Sequence, residues 1–77
     1  MRYQIPPATT LGPSKAHAVG TIEHIHVAAG TVRVTVGDET AKLFAGDSCS
    51  CRTDVPHGIE NPDPSAEALI YLILERS

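Results

Sequence analysis

Aromatic residues are nearly absent from this chain: two Tyr, one Phe and no Trp make up 4% of it. An interior must therefore be assembled from Val, Ile, Leu and Ala, within an apolar content of 42%. Basic residues are scarce as well. Six Lys and Arg stand against nine Asp and Glu, for a formal net charge of −3. A surface that binds a phosphate backbone needs clustered cations, so direct nucleic-acid binding is not expected. Long apolar runs are missing too, since the longest, Ala68 to Leu74, falls far short of the roughly 20 residues of a membrane-spanning helix. The opening Met1-Arg2-Tyr3-Gln4 leads into no apolar stretch and does not read as a signal peptide. The expectation is a soluble, cytoplasmic protein with no membrane partner.

Cysteine is limited to Cys49 and Cys51. On a strand, residues two apart share a face, but their sulfurs do not reach disulfide geometry without strain. An internal disulfide is not expected, in keeping with a reducing compartment. No Gly-rich phosphate loop and no Gly-x-Ser-x-Gly elbow is present, which argues against nucleotide chemistry and triad hydrolysis.

At 77 residues the chain is long enough for one domain only, near the lower size at which a single core offsets chain entropy. Residues 1–14 carry Pro6, Pro7 and Pro13 and read as a Pro-rich arm with one short strand at Arg2 to Ile5. Residues 15–77 form the folded domain. From Thr21 to Val36 the chain is rich in Val, Ile and Thr, broken only at Ala28-Ala29-Gly30, which predicts two strands joined at a glycine turn. In the second, Val32, Val34 and Val36 alternate with Thr31, Arg33 and Thr35, one face apolar and one wet. Gly37-Asp38-Glu39 predicts a hairpin turn, Thr40 to Phe44 the returning strand, and Ala45-Gly46-Asp47 the next turn. Ser48 to Thr53 and His57 to Glu60 are further strands, and Asn61-Pro62-Asp63-Pro64-Ser65 is a loop. Turns at such short spacing suggest an all-β sandwich or barrel. The final Ala66 to Arg76 fits two readings, a helix on its Ala, Glu and Leu content or a strand buried on both faces.

Gly46-Asp47 is followed by His57 ten residues after the Asp, and by Asn61 four residues later. This spacing resembles the second signature motif of the cupin superfamily, in which that histidine is a ligand in metal-bearing members. The first motif places a glycine, then His-x-His, then a glutamate three or four residues on, and a second glycine six residues further. Set on His24-Ile25-His26, it would need a glutamate at Gly30 or Thr31 and finds none. Set on Glu23, it finds Gly30 six residues on, His17 at the first histidine, Val19 at the second and Gly12 near the leading glycine. The resemblance covers roughly Gly12 to Leu74. The run from Gly20 to Asn61 is similar to the sensor cupin behind a helix-turn-helix domain in some bacterial regulators, and to small stand-alone cupins. Departures from the pattern are Val19 for a usual ligand, Arg52 where proline is common, and Asp54 where glycine is common.

The resemblance implies a minimal cupin double-stranded β-helix, a jelly-roll barrel, whose last segment is a strand. It places His17, Glu23 and His57 in the barrel mouth as metal ligands. Two imidazoles and a carboxylate suit divalent iron, manganese, nickel, copper or zinc. The structural alternative is a His57 held by backbone hydrogen bonds, a solvated Glu23 at a strand end, and His17 on the arm. Period two sets Glu23, Ile25 and Val27 on the inner face and leaves His24 and His26 outside as an exposed pair. Cys49 and Cys51 read as small buried hydrophobes, or else one sulfur lines the pocket and favours zinc or copper over iron. Asn61 reads as structural, bonding nearby backbone before Pro62. Two functions follow: a small-molecule binding or sensing module, or a metal-dependent enzyme of dioxygenase, isomerase or epimerase type. A barrel this short lacks outer strands common in the family, so a homodimer is expected, packed through the arm or an outer sheet face.

Overall fold

The computed structural model describes residues 1–14 and 20–75. They form eight strands: β1 (Arg2–Ile5), β2 (Thr10–Ser14), β3 (Ile22–Ala29), β4 (Thr31–Val36), β5 (Glu39–Phe44), β6 (Ser48–Arg52), β7 (His57–Glu60) and β8 (Ala68–Glu75). No helix among the described residues is long and apolar enough to cross a membrane.

The strands make two antiparallel sheets, β1-β8-β3-β6 and β2-β7-β4-β5. The pairing is nested: β4 with β5, β3 with β6, β2 with β7 and β1 with β8. A long hairpin wound back over itself in this way is the jelly roll, and the all-β expectation holds. The Pro-rich segment expected as an arm contributes an edge strand to each sheet. Pro13, which has no N–H to give a ladder, lies in β2 at an edge, where proline is tolerated.

The β4–β5 hairpin turns at Gly37 and Asp38, between the facing residues Val36 and Glu39. At the other hinge the chain leaves one sheet for the other through Gly30, at φ 80°. A Cβ there would lie 2.8 Å from the Glu67 carbonyl oxygen and 3.0 Å from Ala68 Cα, so both the backbone sign and the close approach require glycine. The final segment is a strand. Its composition favours helix, but β8 is paired on both sides, with β1 and β3, and that ladder decides its conformation.

The core is wholly aliphatic: Ile5, Ile25, Val27, Val32, Val34, Ile59, Ala68, Ile70 and Leu72. Burying each large member contributes about 1.5–3 kcal/mol. Register grades this interior from end to end. Val27 faces Ile70 and Ile25 faces Leu72, whereas Glu23 faces Leu74 on one side and Cys51 on the other. One end of the sandwich is therefore packed with hydrocarbon, and the end that holds Glu23 is polar.

Candidate functional site

Glu23 and His57 reach the same end of the interior from opposite sheets. Glu23 takes an inward position on β3, as alternation with Ile25 and Val27 dictates, and is 6% exposed. His57 opens β7, paired with Val36 on one side and Ser14 on the other. The two side chains line one cavity of about 290 Å³, together with Tyr3, Leu11, Leu72 and Leu74. Both residues are buried, so neither is a solvated strand end.

His57 Nδ1 donates to the Val55 carbonyl at 2.9 Å. A carbonyl only accepts, so Nδ1 carries the proton, and in the neutral ring Nε2 is the nitrogen that accepts. Glu23 differs. Its carboxylate has no hydrogen bond or ion pair among the described residues, and no fully buried side-chain oxygen there lacks a partner, so its oxygens open onto the cavity. Of the expected ligands, Glu23 and His57 are thus brought together, while His17 lies outside the described residues, as does Val19. Among the described residues no group of three or more His, Cys, Asp or Glu is placed to hold a metal ion.

Gly46, Asp47 and Asn61 of the motif brace the other end of the sandwich, beside Val27 and Ile5. Gly46 sits at φ 95°, its N–H donating to the Val27 carbonyl at 2.8 Å. Asp47 closes the turn, its Oδ2 accepting from Phe44 N at 2.9 Å and its carbonyl accepting from Val27 N. Asn61 is fully buried, and its Nδ2 donates to the carbonyls of Ile5, Pro6 and Ala66 while Oδ1 accepts from Asp63 N. The structural reading of Asn61 is the one observed. Arg52 and Asp54, two departures from the motif, are partners: Nε and Nη2 of Arg52 donate to the two carboxylate oxygens at 3.1 and 2.8 Å. This fork clips the turn between β6 and β7, and its hydrogen bonds hold the Asp54 carboxyl below its ordinary range.

His24 and His26 point outward, as alternation requires. His24 Nδ1 meets Ser50 Oγ and Nε2 meets Glu75 Oε1, both at 2.7 Å, and His26 Nδ1 meets Ser48 Oγ at 2.7 Å. They lie on the outer face, away from the cavity. Cys49 and Cys51 are unbridged, half-buried and packed against the core. Sequence reasoning had no means to see that they line a second cavity, because its far wall comes from the other sheet.

Comparison with known proteins agrees with this geometry. The family model of the cupin domain Cupin_2 matches residues 1–74. The Cupin_2 domain of an XRE family transcriptional regulator from Enterobacter cloacae superposes with a TM-score of 0.89 at 21% identity, over 99% of this chain and 78% of that one. An HTH_3 family transcriptional regulator from Vibrio cholerae gives 0.75 at 29% identity, over 88% of this chain but 40% of its own. The protein TT1209 from Thermus thermophilus gives 0.77 at 28% identity, over 97% of this chain and 69% of that one. None of the curated proteins matches. With the family model spanning nearly the whole sequence and the nested strand order in place, the chain belongs to the Cupin_2 family of cupin domains.

Proposed function

We propose that this domain binds a small ligand at the Glu23–His57 end of the barrel and serves as a binding or sensing module without turnover. In this reading a divalent cation is held by Glu23 and His57, with His17 as the third donor. The observation that carries it is Glu23, a carboxylate 6% exposed with no protein partner among the described residues, lining the same cavity as His57. A buried anion without a partner is costly, and its retention is accounted for when a cation or a ligand donor completes it. Two imidazoles and one carboxylate, the set completed by His17, suit divalent iron, manganese, nickel, copper or zinc. Such a cation would supply a Lewis-acidic anchor for a polar group on the ligand, and the aliphatic remainder of the wall would take its apolar part.

The enzymatic alternative has less support. With Glu23 and His57 committed to a metal, Tyr3 is the only further titratable side chain among the described residues of the lining. The Enterobacter and Vibrio proteins are named as transcriptional regulators, which favours sensing. The expected homodimer has a candidate face as well. On β8, Tyr71 and Ile73 stand outward at 43% and 64% exposure, with Ile22 on the same outer surface of β3. Sedimentation at high concentration tests it, and a strictly monomeric profile would exclude it.

The deciding experiment is metal content by mass spectrometry on untagged protein, beside His57→Ala and Glu23→Gln. Near-stoichiometric metal in the wild type, lost in both variants, is the expected result. A wild type that is empty and refuses added divalent metal removes the metal from the reading and leaves a metal-free ligand pocket.

A further inference from the structure

A second cavity, of about 360 Å³, opens between β5 and β6, the strands that end the two sheets on the same side. Its apolar wall is Val34, Val36 and Ala41 from one sheet, and Cys49 and Cys51 from the other. Ala41 stands opposite the buried Val34 in the β4–β5 register, yet it is exposed, and Val36, Cys49 and Cys51 are only half-buried. Residues that face the interior are thus left partly uncovered where the sheets part, and an apolar occupant would bury them. Both thiols join that wall as neutral groups, because loss of water raises them above their ordinary range. The charged side chains at its mouth are Glu39, which is exposed, and Arg52, which is held by Asp54.

This cavity adjoins the one at Glu23 and His57. Glu23, which lines the first, is the register partner of Cys51, which lines the second, and His57 of the first is the partner of Val36 of the second. Two register pairs, one in each sheet, therefore lead from one cavity to the other across a single strand spacing of about 4.8 Å. At about 290 Å³ the first cavity falls at the small end of ligand sites, which run from roughly 300 to 1,000 Å³. The two together lie well inside that range.

We propose that the ligand is an aliphatic carboxylate of medium chain length, its head group at the Glu23–His57 end and its tail laid between Val36 and Cys51 into the β5–β6 cleft. The head group rests on the divalent cation proposed above. Two positive charges beside the one carboxylate of Glu23 leave a single positive charge in a buried place, and an anionic head balances it. The tail rests on the second cavity alone. Its wall offers aliphatic carbon and neutral sulfur, with no aromatic face among the described residues, and so fits a flexible hydrocarbon chain.

The test is calorimetric titration of manganese-loaded protein with butanoate, hexanoate, octanoate and decanoate, with thiol reactivity toward dithiodipyridine followed on the same samples. Affinity should rise about fourfold per added methylene, and octanoate should slow the reaction of Cys49 and Cys51 where butanoate does not. Ala41→Phe, which fills the cleft from an exposed position, should remove both the rise and the protection. Affinity that is flat with chain length, or protection that survives Ala41→Phe, overturns the proposal. Should that variant fail to fold, nuclear Overhauser contacts between the terminal methyl of octanoate and the methyls of Val36 and Ala41 decide, and their absence overturns the site. Metal content separates this result from the reading beneath it. Protein that takes up no manganese overturns the carboxylate head, and octylamine, whose ammonium pairs with the Glu23 carboxylate, then replaces octanoate: protection of both thiols supports the cleft as the tail site, and unchanged reactivity overturns it.

Discussion

Cys51 stands directly across from Glu23 in the β3–β6 register, its Sγ 3.8 Å from the Glu23 carbonyl oxygen. Burial first, then the neighbouring Cys49 and Glu23, push its thiol from an ordinary 9.0 up to about 11. Cys49 is raised for the same leading reason, loss of water around the thiolate. In the metal-free protein both therefore remain protonated at neutral pH. Alkylation by iodoacetamide should be slow there and accelerate as pH approaches about 11, while urea-unfolded protein reacts near the ordinary value. The linkage has a definite sign. A thiol whose folded pKa is raised contributes stability that is complete below about 9 and is lost as pH rises to about 11. Equal alkylation rates for folded and unfolded protein at neutral pH would contradict this arrangement.

Asn61 holds three carbonyls with one amide group, tying the end of β1 to the start of the β7–β8 connection. Asn61→Ala leaves those acceptors in a space closed to water. The loss should be about 2 kcal/mol or more, read as a lower urea midpoint with an unchanged slope. A variant within about 0.5 kcal/mol of wild type, the range of a neutral surface change, would show that water replaces the amide at no cost.

Gly30→Ala sets a methyl group against Glu67 and Ala68 and holds alanine at φ 80°. Strain of this kind costs about 1–3 kcal/mol, and the clash with backbone adds to it. Gly46→Ala is the informative comparison, because Gly46 is also at positive φ but has open space where the Cβ would go. Thermal melts should rank wild type first, Gly46→Ala second and Gly30→Ala last. The reverse order of the two variants would mean that the approach of β8 to Gly30 is looser than its distances indicate.

Period two explains what the sequence discloses. Alternation along Thr31 to Val36, and the split of Glu23 from His24 and His26, are properties of a single strand, and both are observed. The turns at Gly30, Gly37 and Gly46 are legible because glycine alone takes those backbone angles cheaply. Features that need two distant segments are hidden. Residues Ala68 to Glu75 compose a good helix, and only pairing with β1 and β3 makes them a strand. Thr10–Ser14 carries a glycine and a proline that mask a strand paired with β7. Arg52 and Asp54 look like unrelated departures from a motif until the turn brings them together. The thiol-lined cavity exists only because β5 and β6 end their sheets on the same side.

Glu23 connects stability to function most directly. A carboxylate in the barrel interior without a hydrogen bond among the described residues opposes folding, because its desolvation is not compensated by the protein. Replacement by a residue of similar volume without charge should therefore stabilise the metal-free protein, by about 0.5–2 kcal/mol, for Glu23→Gln and more so for Glu23→Leu. The same variants should lose divalent metal if the proposed site is real. Denaturation of metal-free and metal-loaded samples separates the two effects: the wild type gains stability with metal, through mass action on the folded state, and the variants do not. If both substitutions instead destabilise the metal-free fold by several kcal/mol, Glu23 is satisfied within the protein, and its place in the cavity is a matter of structure rather than of binding.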